Sequence, residues 1–178
     1  MGCATSQAST GKAPSSKSVS APVQKEKPLL GYWKIRCGNR GNANRAMLYW
    51  AGVDFNEKRY WNPADWQADK KSIPMEHPNL PYLKNGDFYI TESKIVPAYI
   101  CDTWAPELIG SGNPEQRARI LQIQEVVVEC YIPSLMNVFR TDDRETVAPI
   151  FMEAFKKVSD FLGEKPFLAG DNISFVDF

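Results

Sequence analysis

Pro28-Leu29-Leu30-Gly31-Tyr32-Trp33-Lys34-Ile35 is the first stretch of the chain apolar enough to enter a core, and the order of elements it opens decides the fold. Its pattern predicts a buried strand, then a Gly/Asn-rich turn from Cys37 to Asn44 and a helix from Arg45 to Ala51 that stops at Gly52. Phe55 to Tyr60 alternates as a second strand. A polar stretch through His77 leads to Pro78-Asn79-Leu80-Pro81-Tyr82-Leu83, then Asn85-Gly86, then Phe88-Tyr89-Ile90. Asn-Gly between two alternating segments signals a hairpin. Ser93 stands where it would cap a helix to about Thr103, with Pro97 in the first turns.

The order β-α-β, hairpin, α describes an α/β sandwich of the thioredoxin type over residues 28–104. Residues 105–113 are rich in Gly and Pro and read as a linker, and Pro114-Glu115 opens a helical unit over 114–178. Ile120, Leu121, Ile123, Val127, Val128, Tyr131, Leu135 and Val138 recur at helical spacing, and Pro133 is expected to kink or split that helix. A further helix is expected from Thr146 to Leu162, with Phe151, Ala154, Phe155, Val158 and Phe161 facing a core. Ser174-Phe175-Val176-Asp177 has the form of a capping box at the head of another helix. The sequence stops at Phe178, one turn in, so the helical unit reads as incomplete, short of roughly 40 residues if about three helices of ordinary length are missing.

Upstream of Pro28 the composition changes. Residues 1–27 hold six Ser, four Ala, four Lys and no aromatic, Leu or Ile, and read as a disordered tail. Met1-Gly2-Cys3-Ala4-Thr5-Ser6 matches the N-myristoylation pattern at Gly2, and Cys3 could carry a palmitoyl chain. Such a tail, with Lys12, Lys17, Lys25 and Lys27, would tether the chain to a membrane. A plain spacer or transit-like leader is the alternative.

The 178 residues are 43% hydrophobic, enough for one good core or two small ones. The 21 basic and 21 acidic residues cancel only on average: the tail's four Lys and one Glu give it +3, which leaves the body at −3. No basic surface for nucleic acid is implied by that body. No apolar run approaches the ~18 residues that span a bilayer, and a soluble, cytosolic body is expected. Cys3, Cys37, Cys101 and Cys130 are scattered and His77 is the only histidine, which disfavours a zinc site and any Ser-His or Cys-His nucleophile pair. Proton chemistry would fall to Tyr, Lys, a carboxylate or the substrate itself.

Four motifs in order, Gly31-Tyr32-Trp33-Lys34-Ile35-Arg36, Pro78 to Leu83, Thr91-Glu92-Ser93, and Phe161-Leu162-Gly163 with Ala169 to Phe178, resemble a cytosolic glutathione S-transferase. The mu class is most similar and sigma next, and the likeness covers residues 28–178. The resemblance implies glutathione as co-substrate, no metal, a hydrophobic electrophile as second substrate, and a homodimer. It implies that Tyr32 is the catalytic tyrosine, its hydroxyl stabilising the glutathione thiolate. Leu80-Pro81 would be the cis-proline turn that pairs with the peptide's cysteine, and Glu92 and Ser93 would meet the γ-glutamyl end. Trp33 would donate to the γ-glutamyl end and Asn79 to the peptide backbone, and Trp66 and Lys70 would hold the glycine end. Glu129 would reach the glutathione amine from the neighbouring subunit. Gly38 and Phe139 would line the electrophile pocket, where Phe139 lacks the hydroxyl of the family's tyrosine.

Two departures are visible. Glu92 replaces the usual mu-class glutamine, and the loop from Cys37 to Asn44 is two residues longer than its mu counterpart. Cys37 sits near where thiol-using relatives place their chemistry, although a bystander cysteine is the simpler reading. The leading expectation is glutathione transfer to hydrophobic electrophiles. A non-catalytic glutathione-binding carrier and a sigma-like, glutathione-dependent prostaglandin isomerase remain open beside it.

Overall fold

The computed structural model describes residues 26–35, 40–138 and 143–178. Gly2, Cys3, Cys37, Gly38 and Phe139 lie outside the described residues. Strand β1 (Leu29–Trp33) leads to helix α1 (Arg40–Trp50), β2 (Asn56–Tyr60) and α2 (Pro63–Lys70). The hairpin β3 (Tyr82–Asn85) and β4 (Phe88–Thr91) comes next, then α3 (Ile95–Trp104), α4 (Pro114–Val138) and α5 (Arg144–Leu162). Short 3-10 turns cover Pro106–Ile109 and Phe175–Asp177.

The sheet order is β2-β1-β3-β4, with β1 parallel to β2 and antiparallel to β3. Leu30 and Leu83 pair across β1 and β3 and enter a core with Met47 and Leu48 of α1 and Val96, Ile100 and Cys101 of α3. That core continues into the helical unit through Ile120 and Phe175. The sheet's other face carries an aromatic layer, with Tyr60, Trp66 and Tyr82 buried together against Leu29 and Trp33. Gly31 makes this layer fit: a Cβ there would lie 2.0 Å from Cε1 of the Tyr82 ring.

Several boundaries differ from the sequence reading. Strand β1 ends at Trp33 and Ile35 is 42% exposed, although the Lys34 N–H still reaches the Tyr60 carbonyl at 2.8 Å. Helix α1 begins at Arg40, inside the stretch taken for a turn, because packing of Gly41 and Asn44 offsets their poor helix propensity. The polar stretch before His77 contains α2, whose signals are local: Asn62 Oδ1 accepts the Asp65 N–H at 2.9 Å and Pro63 stands at the first helical position. The hairpin loop is Gly86-Asp87, one residue later than the Asn-Gly reading, with Gly86 at φ 59°.

Ser93 does not cap α3. Lys94 occupies the cap position without a side-chain capping bond, its ammonium pairing instead with Glu125 of α4, and the Glu92 carbonyl accepts from the N–H groups of Ile95 and Val96. Pro97 is harmless in the first turn, where its missing N–H has no helical partner to lose. The expected linker is partly a folded turn, with Ala105, Leu108 and Ile109 fully buried. Helix α4 is a single element through Pro133, since the loss of one rung leaves the rungs on both sides intact. On α5 the expected core face is only partly covered: Ala154 is buried but Phe155 is 60% exposed, because α5 packs chiefly on α4. The capping box at Ser174 forms: Asp177 accepts from the Ser174 N–H at 2.8 Å and Oγ at 2.9 Å, and also from the Leu168 N–H at 2.8 Å.

Candidate functional site

Parallel pairing of β1 with β2 brings both strands to a common C-terminal edge, and Tyr32 sits at that edge facing the start of α1. The side chain is 8% exposed and packs with Trp66 and Leu80 in the same cluster. Burial pushes the Tyr32 hydroxyl above the ordinary tyrosine range. The positive charge of Arg40, a hydrogen bond from the Arg40 backbone and the charge of Arg45 pull the other way. The hydroxyl therefore keeps its proton at neutral pH, in a field that favours a neighbouring anion. An N–H at a helix N-terminus and two guanidinium groups supply that field.

The turn before β3 carries a cis Leu80-Pro81 peptide bond. Asn79 organises it: its Oδ1 accepts the Leu80 N–H at 2.9 Å and its Nδ2 donates to Glu92 Oε1 at 3.1 Å. Thr91 Oγ1 adds bonds to the carbonyls of Asn79 at 2.8 Å and Pro81 at 3.0 Å. A peptide laid along this turn has to take the Leu80 N–H from the Asn79 side chain. Glu92 has φ 80°, the left-handed region that an L residue rarely occupies, and this directs the chain from β4 into α3.

The remaining candidates fall at different distances from this centre. Ser93 Oγ accepts from the Arg40 guanidinium at 2.9 Å, which joins the heads of α1 and α3. Trp33 is half-buried, its ring edge-on to Tyr60 at 6.3 Å. Trp66 is 5% exposed, stacked on Tyr82 at 6.2 Å, and Lys70 Nζ lies 6.0 Å from the Trp66 ring centroid. Glu129 stands exposed on α4 and makes no hydrogen bond or ion pair with the other candidates among the described residues. Arg40 is the residue that sequence reading missed. It was hidden in a Gly/Asn run taken for a turn, and only a helix beginning there shows that its charge serves Tyr32 and Ser93 together.

A mainly apolar cleft of about 440 Å³ opens beside this centre, lined by Arg40, Ala43 and Met47 of α1, Ser93, and Val127 and Val128 of α4. Among the described residues no cluster of His, Cys, Asp and Glu could hold a metal ion. No described helix is long and apolar enough to cross a membrane. The arrangement thus offers a protonated hydroxyl in a positive field, a turn held by local hydrogen bonds, and an apolar space that shares Arg40 and Ser93 with this centre.

The family model described as "Glutathione S-transferase, N-terminal domain" matches residues 28–102. A glutathione S-transferase of Tyrophagus putrescentiae is 31% identical over 161 residues, covering 85% of this chain and 71% of that protein. Human glutathione S-transferase Mu 5 is 34% identical over 167 residues, covering 84% and 71%. Among solved structures, glutathione S-transferase-I bound with lactoylglutathione superposes with a TM-score of 0.70 at 22% identity, over 85% of this chain and 78% of that one.

Proposed function

This chain belongs to the glutathione S-transferase family, and from that premise we infer that Tyr32 activates the glutathione thiol for attack on a hydrophobic electrophile. The enzyme is a glutathione transferase with a thioredoxin-like unit followed by a helical one, and glutathione is its co-substrate. In the reaction the thiol gives its proton to solvent and the thiolate forms a carbon–sulfur bond to the electrophile, while the bond to the leaving group breaks with its electron pair or, in a conjugated acceptor, the π pair moves away and is protonated. A free thiol of this kind has a pKa of about 8.5, so at neutral pH little of it is thiolate. A hydrogen bond donated to an anion is worth about 1.5–3 kcal/mol, equal to about one to two pKa units. Tyr32 can supply that bond because it stands at the C-terminal edge of β1 facing the head of α1, and a phenol there is protonated at neutral pH. This is the observation that carries the reading.

The other roles rest on the chemistry of the site. Arg40 and Ser93, joined at the heads of α1 and α3, face the γ-glutamyl carboxylate. Leu80, Pro81 and Asn79 receive the peptide's middle, and Glu92 and Trp33 meet its γ-glutamyl end. Trp66 and Lys70 hold the glycine carboxylate, an indole N–H and an ammonium being suitable donors. The apolar cleft beside Arg40 takes the electrophile. Glu129, exposed on α4, acts across a homodimer, where Glu129 of the partner subunit meets the glutathione amine. A cytosolic body with an acylated, membrane-associated tail completes the proposal, resting on the Gly2 and Cys3 motif.

Kinetics with a hydrophobic electrophile test the assignment of Tyr32. Tyr32→Phe should lower kcat by about 10- to 100-fold, the rate equivalent of one charge-assisted hydrogen bond, while glutathione affinity changes less than about twofold. Unchanged turnover would remove Tyr32 from the mechanism.

A further inference from the structure

Helix α2 carries both residues assigned to the glycine end of glutathione, yet it has little to hold it. It is eight residues long, and Trp66 is its only buried residue. A helix of this length does not persist in water by its own propensity. Its orientation therefore has to come from contacts to the sheet.

Those contacts converge on Tyr60, the last residue of β2. The Tyr60 hydroxyl donates to Asp69 Oδ2 at 2.7 Å and lies 3.2 Å from the Tyr82 hydroxyl. Lys58 completes the arrangement with an ion pair to the same carboxylate oxygen. Trp66 is enclosed by the same two tyrosines, edge-on to Tyr60 at 5.3 Å and stacked on Tyr82 at 6.2 Å. Tyr60 and Tyr82 are each 3% exposed. Asp69 directly precedes Lys70, so the bond from Tyr60 fixes the last turn of α2 at the point where Lys70 departs.

We propose that Tyr60 is a positioning residue for the glycine subsite: through Asp69 it holds α2 so that Trp66 and Lys70 present their donors to the glycine carboxylate together. This rests on the reading that those two residues bind that carboxylate. Tyr60 touches no reacting atom, and its hydroxyl acts only on where α2 lies. Burial and its hydrogen bonds hold the Tyr60 phenol far above the ordinary tyrosine range, and the Asp69 carboxyl is lowered by bonds from Lys58 and Tyr60. The donor and acceptor therefore keep their roles across the working pH range.

The test compares two thiol substrates in the full chain: glutathione, and γ-glutamylcysteine, which lacks the glycine. Tyr60→Phe keeps the ring and removes only the hydroxyl. It should raise the KM for glutathione about five- to tenfold, leave kcat within about twofold, and leave the KM for γ-glutamylcysteine unchanged. Asp69→Asn, which alters the acceptor without touching the aromatic layer, should act in the same direction. Amide hydrogen exchange over residues 66–70 should speed up in both variants while exchange in α1 and α3 is unchanged. An unchanged KM for glutathione in both variants, or an equal rise for both thiols, would overturn the proposal. Lys70→Met tests the underlying assignment separately: if it leaves the preference for glutathione over γ-glutamylcysteine intact, the glycine-subsite reading fails, whatever Tyr60 does.

Discussion

Gly31 lies under the Tyr82 ring, and the space a methyl group would need is already filled by three ring carbons within 2.6 Å. Neither the strand nor the aromatic layer can retreat without disturbing Tyr60 and Trp66, which pack in the same cluster. Gly31→Ala should therefore destabilise the fold by about 2–3 kcal/mol or more, the scale of overpacking a tight core. Urea unfolding measures this. Asn44 presents the opposite case. It is fully buried in α1, and neither its Nδ2 nor its Oδ1 has a hydrogen-bond partner among the described residues. An unpaired buried amide costs about 1–3 kcal/mol, so Asn44→Leu, of similar size and better helix propensity, should raise stability by about that amount. A fall in the thermal midpoint would mean that the amide has a partner in solution.

The elements show where pattern reading succeeds and where it runs short. The strands, the hairpin and the long helices were legible from apolar runs, the Asn-Gly turn signal and helical spacing, although α5 buries only Ala154 of its expected face. The early start of α1 was not legible: Arg40-Gly41-Asn42-Ala43-Asn44 has turn composition, and only contact with the sheet makes it helical. Helix α2 was overlooked although Asn62-Pro63 announced it, because eight mostly polar residues show no apolar stripe. Its hold on the sheet also carries a pH dependence. The Asp69 carboxyl is depressed in the folded state by bonds from Lys58 and Tyr60. A depressed carboxyl contributes stability that is full above its unfolded value, near pH 4, and is lost as pH falls through the folded one. Acidification below about pH 4 should therefore lower the urea midpoint more in the natural chain than in Asp69→Asn. Equal loss in both would place the acid sensitivity elsewhere.

At the scale of the molecule, the two units share one core, because Ile120 and Phe175 enter the same cluster as Leu30, Met47 and Ile100. Arg117 of α4 adds a two-pronged bond to Asp102 of α3, at 2.6 and 2.9 Å. Calorimetry should accordingly show one cooperative transition, and two resolved transitions would mean that the units fold independently. The apolar cleft spans this junction, lined by α1 and α4, whereas Tyr32, Arg40, Leu80-Pro81 and Ser93 all lie in the first unit. Tyr32, Leu80-Pro81 and Ser93 stand in motifs of the chain itself. The Asn79 bond to the Leu80 N–H is local to the turn, but Arg40's double role exists only once α1 and α3 are assembled beside β1. The central claim is that this assembly makes a thiolate at neutral pH. Ultraviolet titration of enzyme-bound glutathione reads that thiolate directly: the bound thiol should ionise about one to two units below its free value near 8.5, and Tyr32→Phe should return it toward that value. Identical titration curves for the two proteins would contradict the account.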